Sequence, residues 1–175
     1  MDCYFNAAQI SLACRTFAQA EKMAGQYFRL NPREWKGHRY DVKTLAYLDQ
    51  HEVRKGAFAH LCKYEIENEP EPESRGLHFY RICLQDDRIL DAVERANSFI
   101  RLSPLLLYIA AHELVHVIRF DRGEVNFDAP EAEKSEEEEA VHRITRNLLR
   151  PMTDPDLSLV LDCFSNRYQI GDLIH

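Results

Sequence analysis

Two histidines one helical turn apart, with a glutamate between them, carry the plainest chemistry in this chain. They are His112, Glu113 and His116, set in the otherwise apolar stretch LLLYIAAHELVHVI at 105–118. Burying a polar group without a partner costs about 1–3 kcal/mol, so three in one such segment call for a shared purpose. On a helix, residues four apart lie on one face, which aims both imidazoles at a single point. Glu113 stands about 100° round from His112, beside that point. The pattern suits a divalent metal held by the two histidines, with the carboxylate taking a proton from a bound water. Zinc fits this best, since a catalytic zinc site uses three protein ligands from N, O and S donors plus one water. The competing reading is a pair of core histidines satisfied by backbone or carboxylate groups, with no metal.

A third ligand is needed. The extended motif HExxHxxGxxH would require Gly where Arg119 stands and His where Arg122 stands, so that continuation is excluded. A following acidic helix offers SEEEEAVHRITRNLLRP at 135–151. Ala140, Val141, Ile144 and Leu148 mark its apolar face, and Glu137 precedes them in phase at the centre of that stripe. Glu137 is therefore the first choice. Glu138, at the stripe's edge, is the reserve. Glu136 flanks the other edge, and Glu139 faces away, in i,i+4 register with Arg143. His142 is a further candidate, at the edge near Glu138. An acidic first turn stabilised by the helix dipole explains three of these glutamates well and Glu137 poorly.

The residues around these positions resemble a known family. HELVH, followed some twenty residues later by Glu137, Glu139 and Ala140 in an E-x-E-A pattern, is similar to the gluzincins, notably their HtpX-like and ImmA/IrrE-like members. EAVHRITRNLLRP also resembles the ending of the latter group, and the likeness spans about residues 104–151. It implies a zincin-like core in which the edge strand of a small twisted sheet borders the cleft and can pair with an extended peptide. LHFYRICL, 77–84, is the expected strand. The resemblance also implies His112, His116 and Glu137 as zinc ligands and Glu113 as general base and acid. The implied function is zinc-dependent hydrolysis of peptide bonds in a peptide or protein substrate. The alternative is a catalytically silent metal-binding or interaction module on the same scaffold. Two departures stand out. Val141 replaces the Asn or Asp that commonly follows E-x-E-A, and no residue clearly matches the family's oxyanion-stabilising group, for which Tyr108 and Tyr168 are candidates.

The rest of the chain must position these groups. Its 175 residues suffice for one domain with a real core, and 45% of them are hydrophobic. A net charge of -7 argues against nucleic acid or an anionic membrane as the main partner. Five scattered cysteines without CxxC spacing, and no signal-peptide pattern, suit reduced thiols and a cytoplasmic location. The apolar run around residue 109 is interrupted by HExxH and reads as a buried helix rather than a membrane span.

Helical periodicity predicts a helix over 6–29, stopped at Asn31-Pro32, and a shorter one from Asp41 to about Arg54. Alternation at Phe58, Cys62, Tyr64 and Ile66 predicts a strand. NEPEPESRG, 68–76, reads as a loop before the second strand, so 57–84 forms a hairpin. Further helices are expected from a cap at Asp86-Asp87 to about Arg101, from Ser103-Pro104 to about Phe120, from Glu133 to Arg150, and from Leu157 to Asn166. The fold class is α+β with helices dominant and a small sheet or hairpin beside the HExxH helix. Residues 1–56 form an N-terminal helical segment and 57–175 the core, within one compact domain overall.

Overall fold

Helices supply most of the described chain, and a small sheet packs on them through β2. The computed structural model describes residues 3–66, 77–97, 99–152 and 154–165. In chain order the elements are α1 (Ala7–Tyr27), α2 (Pro32–Gly37), β1 (Tyr40–Lys43), β2 (Ala59–Glu65) and β3 (His78–Leu84). They are followed by α3 (Asp86–Arg95), α4 (Leu102–Asp121), α5 (Glu131–Leu149) and α6 (Pro155–Ser165). The class is α+β, as the periodicity implied.

Helix α4 is the axis of the fold. Leu105, Leu106, Ala110, Ala111, Leu114, Val115 and Ile118 are fully buried, so the helix is apolar nearly all round because it is covered nearly all round. Each buried Leu or Ile contributes roughly 1.5–3 kcal/mol of transfer free energy. The helix is long and apolar enough to cross a membrane, yet 83% of its apolar window is buried inside the protein. Its largest helical partner is α1, which buries Ala13, Phe17, Ala20 and Ala24 at helical spacing. Three small residues in that stripe let the two backbones approach closely.

The end of α4 is sharply defined. Gly123 has φ +69°, its N–H reaches Phe120 O, and the Glu124 N–H reaches Arg119 O. These are the paired bonds of a Schellman turn, with glycine in the left-handed position it favours. The chain then turns back into α5.

The sheet order is β1-β3-β2, with β1 parallel and β2 antiparallel to β3. Ile82 and Leu84 point into the core beneath it. Three expectations change here. The helix expected over 41–54 is absent: Tyr40–Lys43 is a strand on β3, followed by two short 3-10 turns. Backbone partners along β3 outweigh a weak helical period in so short a segment. β1 also lies inside the expected 1–56 helical segment, so that segment contributes a strand to the same sheet as residues 57–84. Finally, LHFYRICL is the central strand, and among the described residues β1 and β2 are the two edges, with β2 the one that borders the cleft.

Smaller shifts have local causes. α1 ends at Tyr27, before Asn31-Pro32: Arg29 takes φ +55°, and the Arg29 and Leu30 N–H groups reach Gln26 O and Gly25 O. Asn31-Pro32 instead starts α2, since Asn31 accepts the Glu34 N–H at 2.8 Å with Pro32 in the first turn. Asp86 does not cap α3. Its buried carboxylate accepts the Phe5 and Leu45 N–H groups at 2.8 and 3.0 Å, tying the N-terminus and the loop after β1 to the start of α3. α3 stops at Arg95 rather than Arg101, with Asn97 at φ +46°. The loop expected at 68–76 and the end of the last helix at Asn166 lie outside the described residues.

Candidate metal centre

The HExxH motif sits where α4 meets α5. Pairings run in opposite senses along the two helices: Tyr108 meets His142, His112 and His116 meet Glu138, and Arg119 meets Glu137. One carboxylate therefore faces both imidazoles. Glu138 Oε2 lies 3.2 Å from His112 Nε2, and Oε1 lies 3.1 Å from His116 Nε2.

Glu137, the first choice for the third ligand, is not the group brought to the histidines. It is buried, as its phase required, but both its oxygens are held by Arg119, Nε at 2.7 Å and Nη2 at 2.9 Å. Arg119 is one turn beyond His116 on the same face of α4, so it takes the inward glutamate before the histidines can. Glu138, about 100° further round α5, is aimed at them instead. The reserve position is the one that the packing selects. The buried face of α5 is Glu137, Val141, Thr145, Leu148 and Leu149, rotated slightly from the expected stripe.

His112 and His116 together with Glu138 form a three-donor group able to hold a metal. Around a tetrahedral ion with ligands at about 2.0 Å, neighbouring donors stand about 3.3 Å apart. Each Nε2 meets its own carboxylate oxygen at close to that distance, so both oxygens of Glu138 would face the ion. The aromatic neighbours set the ring planes: His112 stacks on Tyr108 with centroids 6.0 Å apart, and His116 on Phe120 at 5.6 Å. Both Nδ1 atoms are buried without a hydrogen-bond partner among the described residues.

Electrostatics match a compact charge pair. Burial pushes the Glu138 carboxyl up, but hydrogen bonds from His112 and His116 outweigh it and hold the group well below the usual carboxylate range. Burial pulls His116 down, while the Glu138 bond and the charge of Glu113 raise it, and the rise prevails. His142 is pushed down to about 4, first by burial and then by His112 beside it. It is therefore neutral near pH 7. Its Nδ1 lies 2.5 Å from Tyr108 Oη, and its Nε2 lies 3.8 Å from Glu138 Oε2. The tyrosine hydroxyl can donate to Nδ1, the pairing that leaves the ring proton on Nε2, or accept from an Nδ1–H.

All these groups open on one cleft of about 720 Å³. Glu113, only 7% exposed, lines it together with His112, His116, Glu138 and His142. The opposite wall is Phe58, Ala59, His60 and Leu61, the start of the edge strand β2. Tyr108 lies on the helix wall; Tyr168 lies outside the described residues. A second group of possible metal donors, His60, Cys62 and Cys83, is present on the sheet. The widely spaced cysteines gave no hint of it, although the H-x-C alternation on a strand places two of the three on one face. No family model, curated protein or solved structure matches this chain.

Proposed function

We propose that the chain is a zinc-dependent peptidase of zincin type, in which His112, His116 and Glu138 hold the metal and Glu113 is the general base. One observation carries the reading. A single carboxylate presents one oxygen to each HExxH imidazole, on the wall of a cleft that also contains the motif's glutamate. A bound divalent ion supplies Lewis acidity, polarising a carbonyl and acidifying a water. Glu113 accepts the proton from the attacking water and returns it to the leaving amine. His142, neutral and in the tautomer with Tyr108 donating to Nδ1, donates from Nε2 to the oxygen that gains charge. The cleft-bordering edge of β2 pairs with the backbone of an extended peptide, which sets the substrate class.

A reading without metal is favoured by the fact that Glu138 alone satisfies both Nε2 atoms. One experiment separates the two. Protein loaded with zinc and freed of excess is assayed by metal-edge X-ray fluorescence and for hydrolysis of an unfolded protein substrate. The proposal expects one zinc per chain, and expects Glu113→Gln to keep the metal while losing activity by about 10²–10⁴-fold. Absence of stoichiometric metal, or hydrolysis unchanged in Glu113→Gln, overturns it.

A further inference from the structure

The sheet face opposite Ile82 and Leu84 carries a second cluster that the cleft chemistry does not use. His60 and Cys62 are two apart on β2 and so share one face, and Cys83 is the direct cross-strand partner of His60 on β3. Cys62 Sγ lies 3.9 Å from His60 Nδ1 and 3.9 Å from Cys83 Sγ. All three donor atoms fall within 4.8 Å of one another.

The imidazole is oriented by a separate contact. His60 Nε2 is 2.6 Å from the backbone oxygen of Glu52. A carbonyl can only accept, so Nε2 carries the proton and Nδ1 presents its lone pair to the sulfurs. This is the arrangement by which ligating histidines are held in the correct tautomer. Spacing points the same way. Two sulfurs on a tetrahedral zinc-like ion, each at about 2.3 Å, stand about 3.8 Å apart, whereas a disulfide requires about 2.05 Å.

The donor set is also selective. Among the described residues the carboxylate buried beside this face is Glu52, and it already has both oxygens engaged. Asp49 N donates to Oε1 at 2.9 Å, while Tyr64 Oη and Arg81 Nη1 donate to Oε2 at 2.5 and 3.1 Å. Two sulfurs and one nitrogen remain, a soft set suited to a thiophilic ion. Two thiolates neutralise a dication, so the loaded cluster, half-buried at His60 and Cys62 and buried at Cys83, carries no net charge.

We propose that His60, Cys62 and Cys83 form a second metal site, for a thiophilic divalent ion of the zinc class. It would tie the cleft-bordering strand β2 to the central strand β3, independently of the site between α4 and α5.

Cobalt(II) titration of the reduced, metal-free full chain tests this, because thiolate ligation gives an intense near-ultraviolet charge-transfer band that histidine and carboxylate ligands cannot. The expected result is a saturable band in the wild type that zinc displaces. It should vanish in Cys62→Ser and in Cys83→Ser, shift to at least about tenfold weaker binding in His60→Ala, and persist in the double variant His112→Ala/His116→Ala. Where a cysteine variant fails to fold by circular dichroism, zinc protection of wild-type thiols against alkylation, mapped by mass spectrometry, decides. Protection confined to Cys62 and Cys83 supports the site. No thiolate band in the wild type, a band that survives both serine substitutions, or alkylation of Cys62 and Cys83 at an unchanged rate with zinc overturns it.

Discussion

Arg119 grips Glu137 with two parallel hydrogen bonds, and by doing so releases the neighbouring Glu138 to face the histidines. Removing the guanidinium while leaving the carboxylate buried strands a charge in the α4–α5 interface. Arg119→Met is expected to destabilise the fold by on the order of 3 kcal/mol, the cost of breaking a largely buried pair from one side. Urea unfolding measures it. Restoration of most of the loss by the second change Glu137→Met would show that the stranded charge is the cause.

Glu138 acts on both stability and metal. Its partners are the two buried imidazoles. In the metal-free protein Glu138→Ala is expected to cost about 1–3 kcal/mol, because both Nε2 atoms lose their partner, and it should weaken zinc binding by more than about 100-fold, beyond the range typical of outer-shell changes. Chelator competition with both variants gives the comparison. Glu137→Ala weakening zinc more than Glu138→Ala would return the ligand to the inward position.

Tyr108→Phe removes the hydroxyl from His142 Nδ1 without changing the ring stack with His112. The loss should cost about 1 kcal/mol of stability. Any hydrolysis should fall in kcat more than in KM, because the tyrosine holds the tautomer of a group that acts on developing charge. Zinc content should be unchanged.

Acid should weaken the sheet through Glu52. Burial would raise this carboxyl, but the Tyr64 hydroxyl, the Asp49 N–H and Arg81 bring it down from its ordinary 4.5 to about 2. The folded state therefore binds fewer protons than the unfolded one between those values, and stability falls as pH drops through that window. Thermal unfolding of wild type against Glu52→Gln isolates the effect. The difference between them should be largest above pH 4.5 and shrink toward pH 2. A difference independent of pH would assign Glu52 a packing role alone.

Legibility from sequence divides along the range of the interactions. The His112–His116 relationship is local to one helix, so a four-residue spacing specifies it. The burial of Glu137 is also local, read from its phase with Val141 and Leu148. What phase could not reveal is that Arg119 reaches Glu137 first, since that depends on how far α5 slides along α4. The same limit explains the sheet. Strand patterning and the loop between them located β2 and β3 as a hairpin, but could not reveal that β1 takes the other side of β3. The helical period at Asp41–Leu48 yielded to a parallel partner some forty residues away at Tyr80–Cys83. The His60, Cys62 and Cys83 cluster depends on cross-strand register, which cysteine spacing along the chain does not encode.

The Schellman turn at Gly123 has a consequence for the order of folding. It joins α4 and α5 by a short connection, so His112, Glu113, His116 and Glu138 all belong to one locally connected helical hairpin. Contacts of short sequence separation form fastest. The opposite wall of the cleft is built the same way: β2 meets β3 across 13 to 25 residues, no further than the 22 to 26 residues between the histidines and Glu138. Only β1, which meets β3 across 40 residues, is a long-range addition. Each wall is thus a locally closed hairpin that can form by itself, and the cleft between them exists only once the two have docked.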